Sequence, residues 1–446
     1  ESGGSASGVR GCVWKDGERV VMNPPRGFID DLDSMPFPAW DKLEMKLYDT
    51  PLHVVGGPRV PVIGSRGCPY NCIYCGSPFM WQRKLRWRSP ANVLAEMAEI
   101  IERYGIRQFH FWDDNMMLAR DYIEGLCEGI LGNDLSIRWT GLTRPSHVIG
   151  NADLMPLLKR SGCIGLEIGI ESANPRTFEE IGKSEDLDQI TKVAELHKRH
   201  GMYPMFTYMA FNPGETIYGY WLQARFIDKI LGGLPVAEHF HQTKLPLYIG
   251  QFCTPHPGTG LYREASGKGV ILAKGWGDYY HHQINFIPDS LLDDVPLKLK
   301  RRLDDACHAL INYLLQVALW EDFNRARTER AQREELRRFK HFADAFYDMC
   351  CGARSVREIA LDLAKRLRLS ESESLRFAAF LTYLLAQMGL IRSATDEESA
   401  VIKERHIADL KDIPAALPPA EEQRWLDRLL EPVRQWFEVA LNPEKR

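Results

Sequence analysis

A chain of 446 residues has room for two to four domains, and an apolar content of 45% is ample for packed cores. Lys and Arg total 56 against 60 Asp and Glu, so the balance of charge gives no reason to expect a nucleic-acid or anionic-membrane partner. Apolar runs are short and interrupted, so no membrane span is expected, and ten scattered Cys make no disulfide framework, which points to a reducing, cytoplasmic setting.

The chain opens without Met on a Gly- and Ser-rich run and reads as the continuation of something longer. Residues 1–55 read as a linker with a short hairpin, Val13-Trp14 and Arg19 to Met22 flanking an Asp16-Gly17 turn. Residues 56–290 alternate strand and helix. Strands are expected at 60–63, 106–112, 137–142, 164–170, 203–211 and 238–249, with helices opening at Ser89-Pro90 and running over about 153–160 and 186–199. Six such units point to a parallel barrel or partial barrel, whose functional residues belong at the C-terminal strand ends. Residues 291–340 read as helical, with Pro296 at a helix start and a charge-rich, solvated stretch over 325–340. Residues 341–446 form a smaller, mostly helical unit. Ser355 and Glu358 make a capping box there, Gly389 stops a second helix, and Leu390-Ile391-Arg392 starts a wing-like strand.

The densest chemical signal is Cys68-Pro69-Tyr70-Asn71-Cys72-Ile73-Tyr74-Cys75, a CxxxCxxC triplet. Chance placement of the Cys would give about 0.005 such triplets. Three thiolates suit three irons of a [4Fe–4S] cluster and leave the fourth iron open to a ligand. A structural zinc site takes four ligands, and the local loop offers no fourth Cys or His.

Each expected strand end carries a candidate. Asp113, Asp114 and Asn115 follow the second strand; carboxylates there suit an ammonium partner or form an Asx-type turn. Arg144 follows the third and suits a carboxylate, in a ligand or in a surface ion pair. Glu171 and Ser172 follow the fourth, where an acid can accept from a pair of neighbouring hydroxyls. Pro213 and Gly214 follow the fifth, in a turn that lets backbone approach a flat ligand. His239 and His241, two apart, share one side of the sixth strand, facing the barrel interior. His281-His282 and the basic loop 83–88 read as surface features.

The run Arg66-Gly67-Cys68, the triplet, and Tyr74 before its last Cys resemble the radical S-adenosylmethionine (SAM) superfamily. Gly169-Ile170-Glu171-Ser172, Lys183 and Pro213-Gly214-Glu215-Thr216 resemble its cobalamin-linked and methylthiotransferase-like branches, with Phe211 standing where the family often has Gly. Gly11-Cys12-Val13-Trp14, Pro24-Pro25-Arg26 and Pro36 to Asp41 resemble the connector that joins a cobalamin-binding domain to such a barrel; that domain is not in this sequence, and the His53-Gly56 spacing lacks its companion Asp. The resemblance implies an α/β fold, a partial (βα)6 TIM-like barrel with a helical C-terminal extension resembling winged-helix units. It implies that Cys68, Cys72 and Cys75 bind a [4Fe–4S] cluster. Tyr74, Asp113, Asp114, Asn115, Arg144, Glu171, Ser172, Pro213 and Gly214 then surround SAM. It implies reductive cleavage of SAM to a 5′-deoxyadenosyl radical, with cobalamin-dependent methylation of an unreactive carbon or phosphorus centre as the activity. A flavodoxin- or ferredoxin-type electron donor and a small-molecule or peptide substrate follow from that chemistry, and nucleic acid does not. A cobalamin-independent radical SAM cyclase or oxidoreductase shares every motif from residue 56 onward. A non-catalytic iron–sulfur or winged-helix nucleic-acid-binding module would carry a basic C-terminal third, and this one mixes acids and bases. No residue identifies the substrate, and no catalytic side chain is singled out.

Overall fold

The computed structural model describes residues 6–45, 58–231, 251–279, 284–298, 329–388 and 390–405. The hairpin forms as its turn predicts: β1 (Val13–Asp16) pairs antiparallel with β2 (Arg19–Met22), and Gly17 supplies the positive φ of +61°. Six strands then make one parallel sheet. They are β3 (Val60–Val62), β6 (Gln108–Phe111), β7 (Arg138–Thr143), β8 (Cys163–Glu171), β9 (Met205–Ala210) and β10 (Gln251–Phe252), in spatial order β10-β9-β8-β7-β6-β3. The expected partial barrel is therefore present, with the chain advancing one strand at a time. The sixth strand expected at 238–249 lies outside the described residues, as do His239, His241, His281, His282 and Gly389.

The helices between strands follow their local signals. Ser89 Oγ accepts from Asn92 N–H and caps Pro90–Tyr104, whose face of Val93, Met97 and Ile100 is buried. Asp186 and Gln189 form a capping box for Leu187–Arg199. These faces pack with Phe109, Phe111, Trp139, Leu166 and Ile168 into one apolar core behind the sheet. No described helix is long and apolar enough to cross a membrane.

Two short antiparallel pairs were not legible in advance. β4 (Ser65–Arg66) pairs with β5 (Arg86–Trp87) and closes the base of the cysteine loop. β11 (Gly269–Ile271) pairs with β12 (Phe286–Pro288). Pro296, expected to open a helix, instead opens strand β13 (Pro296–Lys298), which pairs antiparallel with β14 (Ile391–Ser393). β14 is the strand foreseen at Leu390-Ile391-Arg392. It supplies apolar cover that a helix start at Pro296 would not need, since Leu297 and Ile391 are both fully buried. Helices Glu329–Met349, Val356–Leu367 and Glu371–Gln387 form the C-terminal extension; Ser355 with Glu358 and Ser370 with Glu373 make their capping boxes. A second core joins Phe211, Tyr220 and Phe252 at the barrel's end to Phe342, Phe346, Phe380 and Tyr383 of these helices.

Candidate active site at the C-terminal strand ends

A cavity of about 160 Å³ opens at the C-terminal ends of the strands. Its lining includes Cys68, Cys72, Tyr74, Cys75, Asp114, Arg144 and Glu171, so seven residues singled out by sequence meet in one place. Asp113, Asn115, Ser172, Pro213 and Gly214 do not line it. All five are buried outside the lining.

The cysteine loop is held from both sides. Gly67 has φ +96° and its amide donates to Asp114 Oδ2 at 3.2 Å; the same oxygen accepts from Ser77 Oγ at 2.8 Å. One carboxylate thus ties the residue before Cys68 to the helix after Cys75. Asp113, 1% exposed, accepts from the Ser65 hydroxyl and from Gly64 N–H and fixes the strand that leads in. Burial pushes the Asp113 carboxyl up to about 6. Burial also raises the Cys68 thiol and pushes Cys75 to about 11, while the Ser77 amide points at Cys75 Sγ from 3.4 Å. Thiols held this far from ionising release their protons when a cation takes the proton's place.

Across the cavity, Glu171 ends β8 in the left-handed region, φ +67°, at a register shift between β8 and β9. A side chain in that conformation is strained and persists only where its surroundings over-determine it. Here Tyr74 O–H donates to Glu171 Oε1 at 3.0 Å and Lys183 Nζ donates to the same oxygen at 2.9 Å. Lys183 also donates to Gly169 O at 2.6 Å. Both of these contacts fall on Oε1, and no described side chain is bonded to Oε2. Burial, and then the Glu171 charge, keep the Tyr74 phenol far above its ordinary value, so it acts as a donor.

Behind this wall, Ser172 Oγ donates to Glu215 Oε2 at 2.8 Å, and Asn174 Nδ2 donates to Gly214 O at 3.2 Å. Two buried amide atoms at the strand ends have no partner among the described residues: Asn115 Nδ2, on a side chain whose Oδ1 accepts from Thr143 of the lining, and Asn212 Oδ1. Buried polar atoms of this kind call for a ligand or an ordered water.

Several lining residues carried no sequence signal. Tyr70 sits inside the triplet with its hydroxyl 2.9 Å from His147 Nε2. Glu167 and Thr207 face the cavity from β8 and β9, two residues before Gly169 and within the inward phase of their strands. Glu185, just behind the lining, grips Arg144. Strand alternation, applied backwards from Glu171, picks out Glu167 and Gly169; nothing in the order of residues picks out Glu185.

Residues 62–218 match the radical SAM superfamily. This chain carries a radical SAM domain. An uncharacterized methyltransferase of Pyrococcus horikoshii is 29% identical over 279 residues, 62% of this chain and 56% of that protein. The cytidylyl-2-hydroxyethylphosphonate methyltransferase of Streptomyces wedmorensis is 28% identical over 317 residues, 60% of this chain and 57% of its own. The anaerobic magnesium-protoporphyrin IX monomethyl ester cyclase of a Synechocystis strain is 26% identical over 277 residues, 62% of this chain and 52% of its own. The chain therefore spans about half the length of the curated relatives it matches. A solved structure of the cobalamin-dependent SAM radical enzyme OxsB with aqua-cobalamin bound superposes with a TM-score of 0.52 over 98% of this chain and 65% of that one, at 14% identity, a likeness of fold. The radical SAM domain takes in the whole cysteine loop and strands β6 to β9, and so nearly every side chain of the cavity.

Whether the residues fit a [4Fe–4S] cluster is a question of donors. Three free thiols line one cavity in a radical SAM domain, one with a backbone N–H and one with a guanidinium directed at sulfur. Soft thiolates with hydrogen-bond donors around them are what such a cluster requires. The donor set fits.

Proposed function

We propose that this chain is the radical SAM portion of a methyltransferase that acts on an unreactive carbon or phosphorus centre with the help of cobalamin. Cys68, Cys72 and Cys75 hold a [4Fe–4S] cluster, and the rest of the cavity seats SAM. When bound, the cluster supplies the single electron that cleaves SAM reductively. The gathering of the three thiols with Asp114 and Glu171 in one cavity carries this reading.

The chain's own groups have distinct tasks. Asp114 holds the loop with Oδ2 and offers its remaining oxygen to the ammonium of SAM. Glu171 offers Oε2 to the ribose hydroxyls, its other oxygen pinned by Tyr74 and Lys183. Thr143 adds a polar contact from the lining, held from behind by Asn115. Ser172, Pro213 and Gly214 shape the turn that faces the adenine. The substrate is a small molecule or a peptide, the electron comes from a flavodoxin- or ferredoxin-type protein, and the setting is the cytoplasm. The methyltransferase names among the relatives favour methyl transfer; the cyclase relatives support a second reading, radical cyclisation or oxidation without cobalamin.

Anaerobic reconstitution with iron and sulfide, followed by SAM and dithionite, tests the proposal. Wild-type protein is expected to release 5′-deoxyadenosine, and Cys72→Ala to release none; turnover retained in that variant would sink the assignment. Adding reduced cobalamin separates the two activities. A methyltransferase then forms S-adenosylhomocysteine as well, whereas a cyclase or oxidoreductase yields 5′-deoxyadenosine alone.

A further inference from the structure

We infer that Arg144, positioned by Glu185, acts on the iron–sulfur cluster through Cys72 and sets its reduction potential, and does not bind the SAM carboxylate. The inference rests on the cluster assignment above. Sequence position offers Arg144 as a carboxylate clamp, but the structure shows the clamp already closed. Arg144 Nε and one terminal nitrogen donate to the two oxygens of Glu185, the two-pronged geometry that a guanidinium offers any carboxylate. Both side chains are nearly out of solvent, at 10% and 1% exposure, so a ligand would have to displace Glu185 and leave it buried and unpaired.

What remains of the guanidinium faces the cysteine loop. Its other terminal nitrogen lies 3.8 Å from Cys72 Sγ. Its plane sits over the Tyr70 ring, 3.6 Å from the centroid, and Tyr70 lies between Cys68 and Cys72. Tyr70 is fixed in turn by His147. Arg144 is thus clamped on one side by Glu185 and on another by an aromatic ring, with a single donor group left over and a thiolate ligand in front of it. Hydrogen bonds to cluster sulfurs and nearby positive charge stabilise the more negative, reduced cluster and raise its potential. Glu185 has two opposing effects: it holds the guanidinium in place, and its charge offsets part of the positive field at sulfur.

These roles give variants of opposite sign. Arg144→Gln removes the donor and the charge and leaves Glu185 unbalanced, so the potential is expected to fall. Glu185→Gln keeps one acceptor for Arg144 while removing the negative charge, so the potential is expected to rise. Arg144→Lys keeps the charge without the fork and lies between wild type and Arg144→Gln. The measurement is an anaerobic redox titration of the reconstituted protein without SAM, following the electron paramagnetic resonance signal of the reduced cluster, with iron and sulfide counted per chain. A tenfold change in the one-electron equilibrium, about 59 mV, is the size expected for Arg144→Gln. Shifts of opposite sign at equal iron content support the inference. Unchanged potentials overturn it, as does a common shift accompanied by cluster loss, which marks a merely structural pair. Weakened SAM binding in Arg144→Gln at an unmoved potential returns Arg144 to the SAM carboxylate. Wild-type protein that takes up no cluster overturns both this inference and the proposed function; wild-type protein that takes one up, with variants that do not move, overturns this inference alone.

Discussion

Glu215 is a carboxylate with no exposure to solvent, and it accepts from Ser172 Oγ, Asn174 Nδ2 and Thr177 Oγ1. Burial outweighs those donors and pushes its carboxyl up to about 7, from an ordinary 4.5. The folded protein therefore binds a proton that the unfolded chain releases between about pH 4.5 and 7, so stability is lost as pH rises through that window. The whole effect is on the order of 3 kcal/mol. Asp113, raised to about 6, works in the same direction. Glu215→Gln is expected to melt with a flatter pH dependence between pH 4.5 and 7.5 than wild type, read by calorimetry; parallel curves would show that Glu215 stays ionised. At this scale the sequence was informative about some side chains and silent about others. The three Cys were legible as a group because short spacing sets them on one loop, and all three line the cavity. The pairs Lys183–Glu171 and Arg144–Glu185 were not, because each partner arrives from a different loop and nothing in residue order encodes which side chains meet. Arg144 was legible as a residue at a strand end, and it lines the cavity, but its pairing with Glu185 was not legible.

Between residue and molecule, the cysteine loop owes its shape to one glycine and one small strand pair. Gly67 has φ +96°, and a Cβ there would lie 2.2 Å from the carbonyl oxygen of Lys84, just before β5. That neighbour is backbone and cannot swing aside. Gly67→Ala meets both a left-handed penalty and a clash with the pair β4–β5, so a loss of more than about 2 kcal/mol is expected, together with lower iron uptake on reconstitution. Gly105 is the control: it caps the helix Pro90–Tyr104 at φ +69° with nothing within 4 Å of the added Cβ. Gly105→Ala should cost about 1 kcal/mol and leave iron uptake unchanged. Denaturant unfolding with iron assay checks both, and equal iron uptake in the two variants would refute the special role of Gly67. Elements of this kind divide by the range of their determinants. Caps, the hairpin turn and the strand–helix alternation are local, and they were legible. The β13–β14 pairing joins residues almost a hundred positions apart, so Pro296 read by itself suggested a helix start when its strand partner lay far downstream.

On the scale of the molecule, the barrel and the C-terminal helices are joined through Phe211. This residue stands where the resembling family often has Gly, and it adopts the left-handed conformation, φ +65°, that Gly takes without strain. Its ring explains the exchange. It lies 5.4 Å from Phe252 of β10, 6.3 Å from Tyr220 and 6.0 Å from Tyr383 of the helix Glu371–Gln387, while its amide donates to the Tyr220 hydroxyl at 3.0 Å. Burial of the ring, worth about 3–5 kcal/mol against truncation, outweighs a backbone strain of about 1 kcal/mol. The same numbers order two variants. Phe211→Ala loses the packing and keeps the strain, whereas Phe211→Gly loses the packing and relieves it. Phe211→Gly is therefore expected to be the more stable of the two by about 1 kcal/mol, the reverse of the usual penalty for Gly against Ala. Both variants open a cavity in the core shared by the barrel end and these helices, so protection should fall together in β9, β10 and the helix Glu371–Gln387. Hydrogen exchange read by mass spectrometry distinguishes the outcomes. Loss of protection confined to the barrel strands would show that the C-terminal helices stand on a core of their own, and that Phe211 packs against them without joining the two units.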